Sequence, residues 1–213
     1  MQKDRSEYWL QRVYGARSTE ELRESYDQWA PDYDRNLEGA RYQNPPLAAG
    51  LIGRYVRPGA GEVLDAGCGT GLLGDILMTL GYDKIVGIDL SHAMLAQAEA
   101  RGVYRELRQM DMSEALDFPD GRFAACVAFG VLTKGHAPPK ALDEMLRVTR
   151  SGGYLIFSIS EPAFQDGGFK ERLAALDGSG LWDTVEVTPH YRPIPDSQTE
   201  GDLLARLFVY RVS

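Results

Sequence analysis

The densest chemistry in the chain lies in Val63-Leu64-Asp65-Ala66-Gly67-Cys68-Gly69-Thr70-Gly71, where glycines alternate just after a short apolar run. Without a Cβ, a backbone of this kind can turn sharply and approach a ligand closely. A helix expected from Leu72 would aim its first N–H groups at the same spot. Gly69 to Gly74 also fits the G-x-G-x-x-G dinucleotide fingerprint, so the loop alone does not identify its ligand.

Three neighbouring features bear on that choice. Asp65 precedes the first glycine by two residues, where a carboxylate would repel a pyrophosphate and suits a cofactor with a cationic aminoacyl end. Gly67 already turns the chain, so a fingerprint starting at Gly69 would leave a glycine inside its strand. Asp89 ends Ile85-Val86-Gly87-Ile88-Asp89, 18 positions after Gly71, and a carboxylate there accepts hydrogen bonds from ribose hydroxyls. A ribose occurs in both candidate cofactors, so Asp89 supports a nucleoside without choosing. Asp65 favours S-adenosylmethionine (SAM); an NAD(P)-dependent oxidoreductase is the rival, and a non-catalytic protein binding SAM or S-adenosylhomocysteine is a third reading. Asp111, between Met110 and Met112, can accept from an adenine amino group while its apolar neighbours enclose the ring.

Other polar residues carry weaker signals. His92, His136 and His190 are far apart and show no metal-ligand spacing, so no metal is expected. Lys134 and His136 follow the fourth apolar run, on a loop where a base or a substrate contact could sit. His190 and Tyr191 lie in the last long connection, a place for a substrate lid. Asn44-Pro45-Pro46 reads as a helix start, Asn as N-cap with prolines after it, opening a helix through Tyr55. Cys68 would be reactive only if its pKa were lowered.

The elements that must position these residues follow an alternating pattern. From residue 61 onward short apolar runs alternate with amphipathic stretches, the mark of βαβ units and a parallel sheet. Strands are expected at 62–66, 84–88, 105–110, 123–129 and 154–159, and helices at 72–80, 92–101, 138–149 and 169–176. Ser91 should cap the second of these helices, and Gly102 should end it. Strands at 184–188 and 206–212 lack room for a crossover helix between them and should pair antiparallel. Residues 1–55 are helical in pattern and rich in aromatics; the whole of 1–213 reads as one domain, with 56–213 as its core.

Bulk properties set the outer limits. The 213 residues are 44% hydrophobic and 25% charged, an ordinary globular balance. No run is long and apolar enough to span a bilayer. The net charge of −8 argues against a nucleic-acid partner. A small-molecule substrate fits best, with a protein substrate possible. Two cysteines, both in apolar segments, suit a reducing cytoplasmic setting.

The motifs Asp65–Gly71, Gly87-Ile88-Asp89-Leu90-Ser91-x-x-Met94-Leu95, the Asp111 position and Leu146-Arg147-Val148-Thr149-Arg150-Ser151-Gly152-Gly153 resemble the class I SAM-dependent methyltransferases over about residues 25–160. Tyr26-Asp27-Gln28-Trp29-Ala30-Pro31-Asp32-Tyr33-Asp34, Arg41-Tyr42-Gln43 and Ala100–Tyr104 resemble more closely the methyltransferase-like proteins of the Williams–Beuren region family. The resemblance implies an α/β Rossmann-like three-layer sandwich whose seven-stranded sheet runs 3-2-1-4-5-7-6, strand seven antiparallel, plus an N-terminal helical lid. It further implies that Gly67, Cys68 and Gly69 line the methionyl part of SAM and Asp89 holds the ribose diol. Leu90 and Met94 would flank the adenine, Asp111 and Met112 would meet its edge and face, and Phe129 and Gly130 would back the sulfonium. Tyr33, with Tyr26 and Trp29, would close over the cofactor. The product would be S-adenosylhomocysteine; acceptor and oligomeric state are not implied.

Overall fold

The structure, a computed structural model, describes residues 2–213, so Met1 lies outside it. Its sheet has the order β3-β2-β1-β4-β5-β7-β6, with β1 (Val63–Ala66), β2 (Ile85–Asp89), β3 (Glu106–Gln109), β4 (Phe123–Leu132), β5 (Thr149–Ser160), β6 (Trp182–Val187) and β7 (Ala205–Val212). The first five pair parallel, and β7 runs antiparallel to both β5 and β6. Helices cover both faces, which is why β1 and most of β4 are buried without alternation. The order reverses beside β1, whose neighbours are β2 and β4. The loops leaving the carboxyl ends of these strands therefore diverge and open a crevice.

Local chemistry sets the helix ends. Ser91 Oγ accepts from the Met94 N–H and starts α6 (His92–Arg101), and Gly102, at φ 67°, ends it. The boundaries that differ most from those expected lie around β4 and β5. Gly130, at φ 75°, reads as a stop, yet β4 resumes through Val131 and Leu132 after a register irregularity. The helix expected at 138–149 is α7 (Ala141–Val148), and Thr149 begins β5 instead. A bulge between Thr149 and Tyr154 absorbs the glycine pair within one long strand.

Four helices precede the sheet: α1 (Gln2–Tyr14), α2 (Thr19–Trp29), α3 (Tyr33–Gly39) and α4 (Asn44–Tyr55). Leu10, Val13, Leu22, Trp29 and Leu37 form a separate core with Ile194 from the β6–β7 connection. Its rings pack on one another: Trp29 stacks on Trp9 with centroids 6.2 Å apart and meets Tyr33 edge-on at 4.6 Å. Three carboxylates fasten this layer to the rest. Asp27 Oδ1 accepts from Ser91 Oγ (2.6 Å) and the Ala93 N–H (3.1 Å) at the start of α6. Asp34 accepts from Thr70 Oγ1 (2.5 Å) in the glycine loop and pairs with Arg101. The buried Glu7 accepts from the N–H groups of Gln198 (2.7 Å) and Thr199 (3.1 Å), holding the β6–β7 connection against α1.

Candidate active site

Three adjoining cavities open along the carboxyl edge of β1, β2 and β4. The largest, about 820 Å³ of space partly open to solvent, runs from the glycine loop past Asp89 to the turn after β3. That is within the usual range for a small-molecule site. A second, about 560 Å³, lies deeper among the N-terminal helices and the ends of β4 and β5. A third, about 400 Å³, surrounds Asp65 and Thr70. Tyr33 and Tyr42 border all three, so they stand at the junction.

The glycine loop is shaped by strong backbone demands. Gly67, Gly69 and Gly71 have φ of 79°, 54° and 89°, in the left-handed region that side chains disfavour. The two flanking the cavity differ in what surrounds them. A Cβ on Gly67 would lie 2.1 Å from Val131 Cγ2, whereas a Cβ on Gly69 would meet nothing within 4 Å and project into open space. Gly67 is thus small for the sake of the fold, and Gly69 leaves room for a ligand. Gly74, the last glycine of the dinucleotide-like match, makes room for the Tyr104 ring, 2.6 Å from where its Cβ would be.

Two acids face this space. Asp89 Oδ2 accepts from the Gly69 N–H (2.8 Å) and Oδ1 from the Ser91 N–H (2.9 Å), so the carboxylate is fixed at the strand end. Burial pushes its pKa up, opposed by those N–H groups. Asp65 is buried and accepts from the Tyr104 hydroxyl (2.8 Å). Burial raises its pKa to about 7, and the charge of Asp89 adds to that. A carboxyl so poorly compensated, bordering a cavity, is matched by a cationic partner. The two acids, the open face of Gly69 and the Leu90, Met94 and Met112 slot together fit a ligand with a cationic amino acid end, a ribose and a flat base.

The sequence-derived candidates separate into groups. Tyr26, Tyr33, Gly67, Gly69, Asp89, Leu90, Met94, Asp111, Met112, Phe129, Gly130 and His136 all line the largest cavity. Asp111 is held by the Ser113 N–H (2.7 Å). Asp65 and Cys68 line the third. Burial and the charges of Asp89 and Asp65 push the Cys68 thiol far up, so it is no nucleophile. Trp29 does not reach the largest cavity; it is buried, donates to Asn36 Oδ1 (3.0 Å) and walls the deeper one. Lys134 is exposed beside an outer recess. His190 is also exposed, paired with Glu161 at 2.9 Å. Tyr191 donates to Asn44 Oδ1 (2.6 Å).

Asn44 corrects its reading as a helix cap. Gln43 holds the N-cap position and Asn44 is the first helical residue; its side chain is buried between the second and third cavities, donating to the Tyr42 hydroxyl (3.1 Å). Tyr42, Asp27 and Asp34 stand in the sequence only as motif positions without a role at the site, and Tyr14 reads there as a packing residue. The one available signal was the interleaving of aspartates with aromatics at residues 26–34.

One polar pair spans the cavities. The Tyr26 hydroxyl lies 2.7 Å from His136 Nε2, and His136 Nδ1 lies 3.1 Å from the Lys134 carbonyl. A carbonyl only accepts, which puts the imidazole proton on Nδ1 and makes Tyr26 the donor to Nε2. Desolvation holds the His136 pKa down at about 4, so the ring is neutral at pH 7.

This fold, with its antiparallel β7 and acid-flanked glycine loop, is that of a class I SAM-dependent methyltransferase. A methyltransferase-domain family model matches residues 64–157. Human methyltransferase-like protein 27 is 34% identical over 171 residues, covering 77% of this chain and 69% of that protein. The phosphatidylethanolamine N-methyltransferase of Cereibacter sphaeroides is 37% identical over 138 residues, covering 62% and 64%. Among solved structures, the cyclase SpnF superposes with a TM-score of 0.72 at 18% identity, covering 92% of this chain and 97% of that one. The chain belongs to the class I SAM-dependent methyltransferase family.

Proposed function

We propose that the protein transfers a methyl group from SAM to a small-molecule acceptor by direct in-line displacement. The observation that carries this reading is the deep second cavity, which meets the cofactor-shaped one at Tyr26, Tyr33, Tyr42 and Gly130. A chamber of this size, walled largely by aromatic and aliphatic side chains beside the methyl donor, suits a molecule small enough to enter whole. The net charge of −8 gives no support to a nucleic-acid acceptor. Two buried free thiols suit the cytoplasm as its setting.

In this reading Asp65, Gly67 and Gly69 receive the aminoacyl end and Asp89 the ribose. Leu90, Met94 and Met112 enclose the base, Asp111 meets its edge, Phe129 backs the cofactor cavity, and Gly130 stands between that cavity and the chamber. Bound SAM supplies a methyl group already activated on a sulfonium, so alignment can provide most of the catalysis. Tyr26 and His136 give a protic acceptor somewhere to lose its proton: Tyr26 Oη takes it while passing its own to His136 Nε2. Methyl transfer from labelled SAM across panels of small molecules, peptides and RNA tests the reading. Transfer to macromolecules alone would overturn it.

A further inference from the structure

We propose that the acceptor is an uncharged, ring-sized molecule whose hydroxyl or carbonyl oxygen sits at the Tyr42 junction, and that carboxylates and phosphates are excluded. The inference rests on the methyltransferase reading above and adds the chemical class of what enters the second cavity.

The first argument is the character of the lining. Among the described residues, no Asp, Glu, Lys, Arg or His borders this cavity. Tyr14, Tyr26, Trp29, Tyr33 and Tyr42 form much of its wall, and Thr133, Ser158 and Ser160 supply neutral polar atoms from the strand ends. An anion carried from water into such a site loses its hydration and gains no countercharge, a penalty of several kcal/mol.

The second argument is the surrounding field. Carboxylates act on the wall: Glu200 on Tyr14, Asp65 on Tyr42 and Asp89 on Tyr26, each pushing the phenol pKa upward alongside desolvation. None of these groups offers an anionic acceptor a countercharge for its lost hydration. Cations find no better site, because an aromatic cage holds them over free ring faces. Here Trp29 stacks on Trp9 and on Tyr26 (6.1 Å) and meets Tyr33 edge-on, so its π surface serves other rings.

The third argument locates the oxygen. Tyr191 donates to Asn44 Oδ1, and Asn44 Nδ2 donates to the Tyr42 hydroxyl. This chain leaves the Tyr42 proton without an acceptor among the described residues, at the point where the three cavities meet. A neutral oxygen on the acceptor would complete it, and its ring would occupy the apolar chamber behind.

Calorimetry on the full chain tests the class. S-adenosylhomocysteine is titrated first; failure to bind would sink the methyltransferase reading itself. On the S-adenosylhomocysteine complex, naphthol, naphthoate and naphthylmethylammonium then share one ring system and differ in charge. Naphthol should bind at least tenfold more tightly than either ion. Tyr42→Phe should weaken naphthol about fivefold or more while leaving naphthalene unchanged. Binding of either ion within twofold of naphthol, no naphthol binding, or indifference to Tyr42→Phe would each overturn the inference while the cofactor reading stands.

Discussion

The two halves of the site are built from opposite materials. The cofactor side is made of strand ends, with carboxylates clamped by backbone N–H groups, as Asp89 is by Gly69 and Ser91. The chamber side sets neutral side chains from helices and a long connection against uncharged residues at the ends of β4 and β5, and is fastened from outside by Glu7, Asp27 and Asp34. A rigid sheet edge holds charge at fixed positions, which suits reading a polar cofactor. Docked helices supply shape and apolar surface, which suits an acceptor without charge. Cofactor variants should therefore change affinity steeply, and chamber variants should change selectivity and stability.

The largest expected effect sets two glycines against each other. Gly69→Val should weaken S-adenosylhomocysteine binding more than a hundredfold in calorimetry while circular dichroism stays folded, because its side chain meets only the open cavity and costs the fold no more than the strain of a β-branched residue at φ 54°. Gly67→Ala should instead lower stability by ~1–3 kcal/mol, the usual scale for overpacking, because its Cβ meets Val131. Equal behaviour of the two variants would erase the distinction between fold glycine and ligand glycine.

Asp89→Ala comes next, with a loss of ~1.5–3 kcal/mol in SAM affinity, the range for hydrogen bonds to a charged group. The Gly69 and Ser91 N–H groups would also lose their acceptor, so the glycine loop should show faster amide exchange. Affinity within twofold of wild type would remove Asp89 from the cofactor side.

Smaller still is a proton linkage at Asp65. Its pKa of about 7 without ligand means that many molecules carry a neutral carboxyl at pH 6. Binding a cationic amino group favours the ionised form, so SAM affinity should tighten as pH rises from 5.5 to about 7. Calorimetry in buffers of different ionisation enthalpy should detect released protons in that interval. Asp65→Asn should flatten the dependence; an unchanged slope in that variant would assign the protons elsewhere.

Legibility in the sequence follows the same division. Asp65, the glycines and Asp89 were readable because their roles depend on a few residues of one strand and turn. The sheet order came with the motif resemblance, and the antiparallel end came from a connection whose prolines and acids leave no crossover helix. The chamber was not readable, because its contacts join distant segments: Tyr191 and Asn44 are 147 residues apart, and Glu7 reaches Gln198. Asn44 with two following prolines looks locally like a helix cap, and only the docking of α4 beside the β6–β7 connection buries its amide. Trp29 keeps helical spacing with Tyr26 and Tyr33, so spacing alone could not show that it turns into the deeper cavity.

The smallest expected effect lies in the pH dependence of stability, where two buried groups of the cofactor side oppose each other. His136 has its folded pKa near 4, below its ordinary 6.5. Between those values the unfolded chain takes up a proton that the folded chain refuses, so this group makes stability rise with pH. Asp65 is the reverse: its folded pKa near 7 exceeds the ordinary 3.8, so the folded chain holds the extra proton and stability falls with rising pH. Each slope is at most about 1.4 kcal/mol per pH unit, and over pH 4 to 6.5 the two nearly cancel. Other shifted carboxyls, Asp89 and Glu200 upward and Glu7 and Glu106 downward, are common to wild type and variants and drop out of the comparison. Relative to wild type, His136→Gln should therefore show a melting temperature that falls more steeply from pH 4 to 6.5. Asp65→Asn should show one that rises more steeply. Two variant curves parallel to the wild type would mean that neither group is held out of water as its position implies.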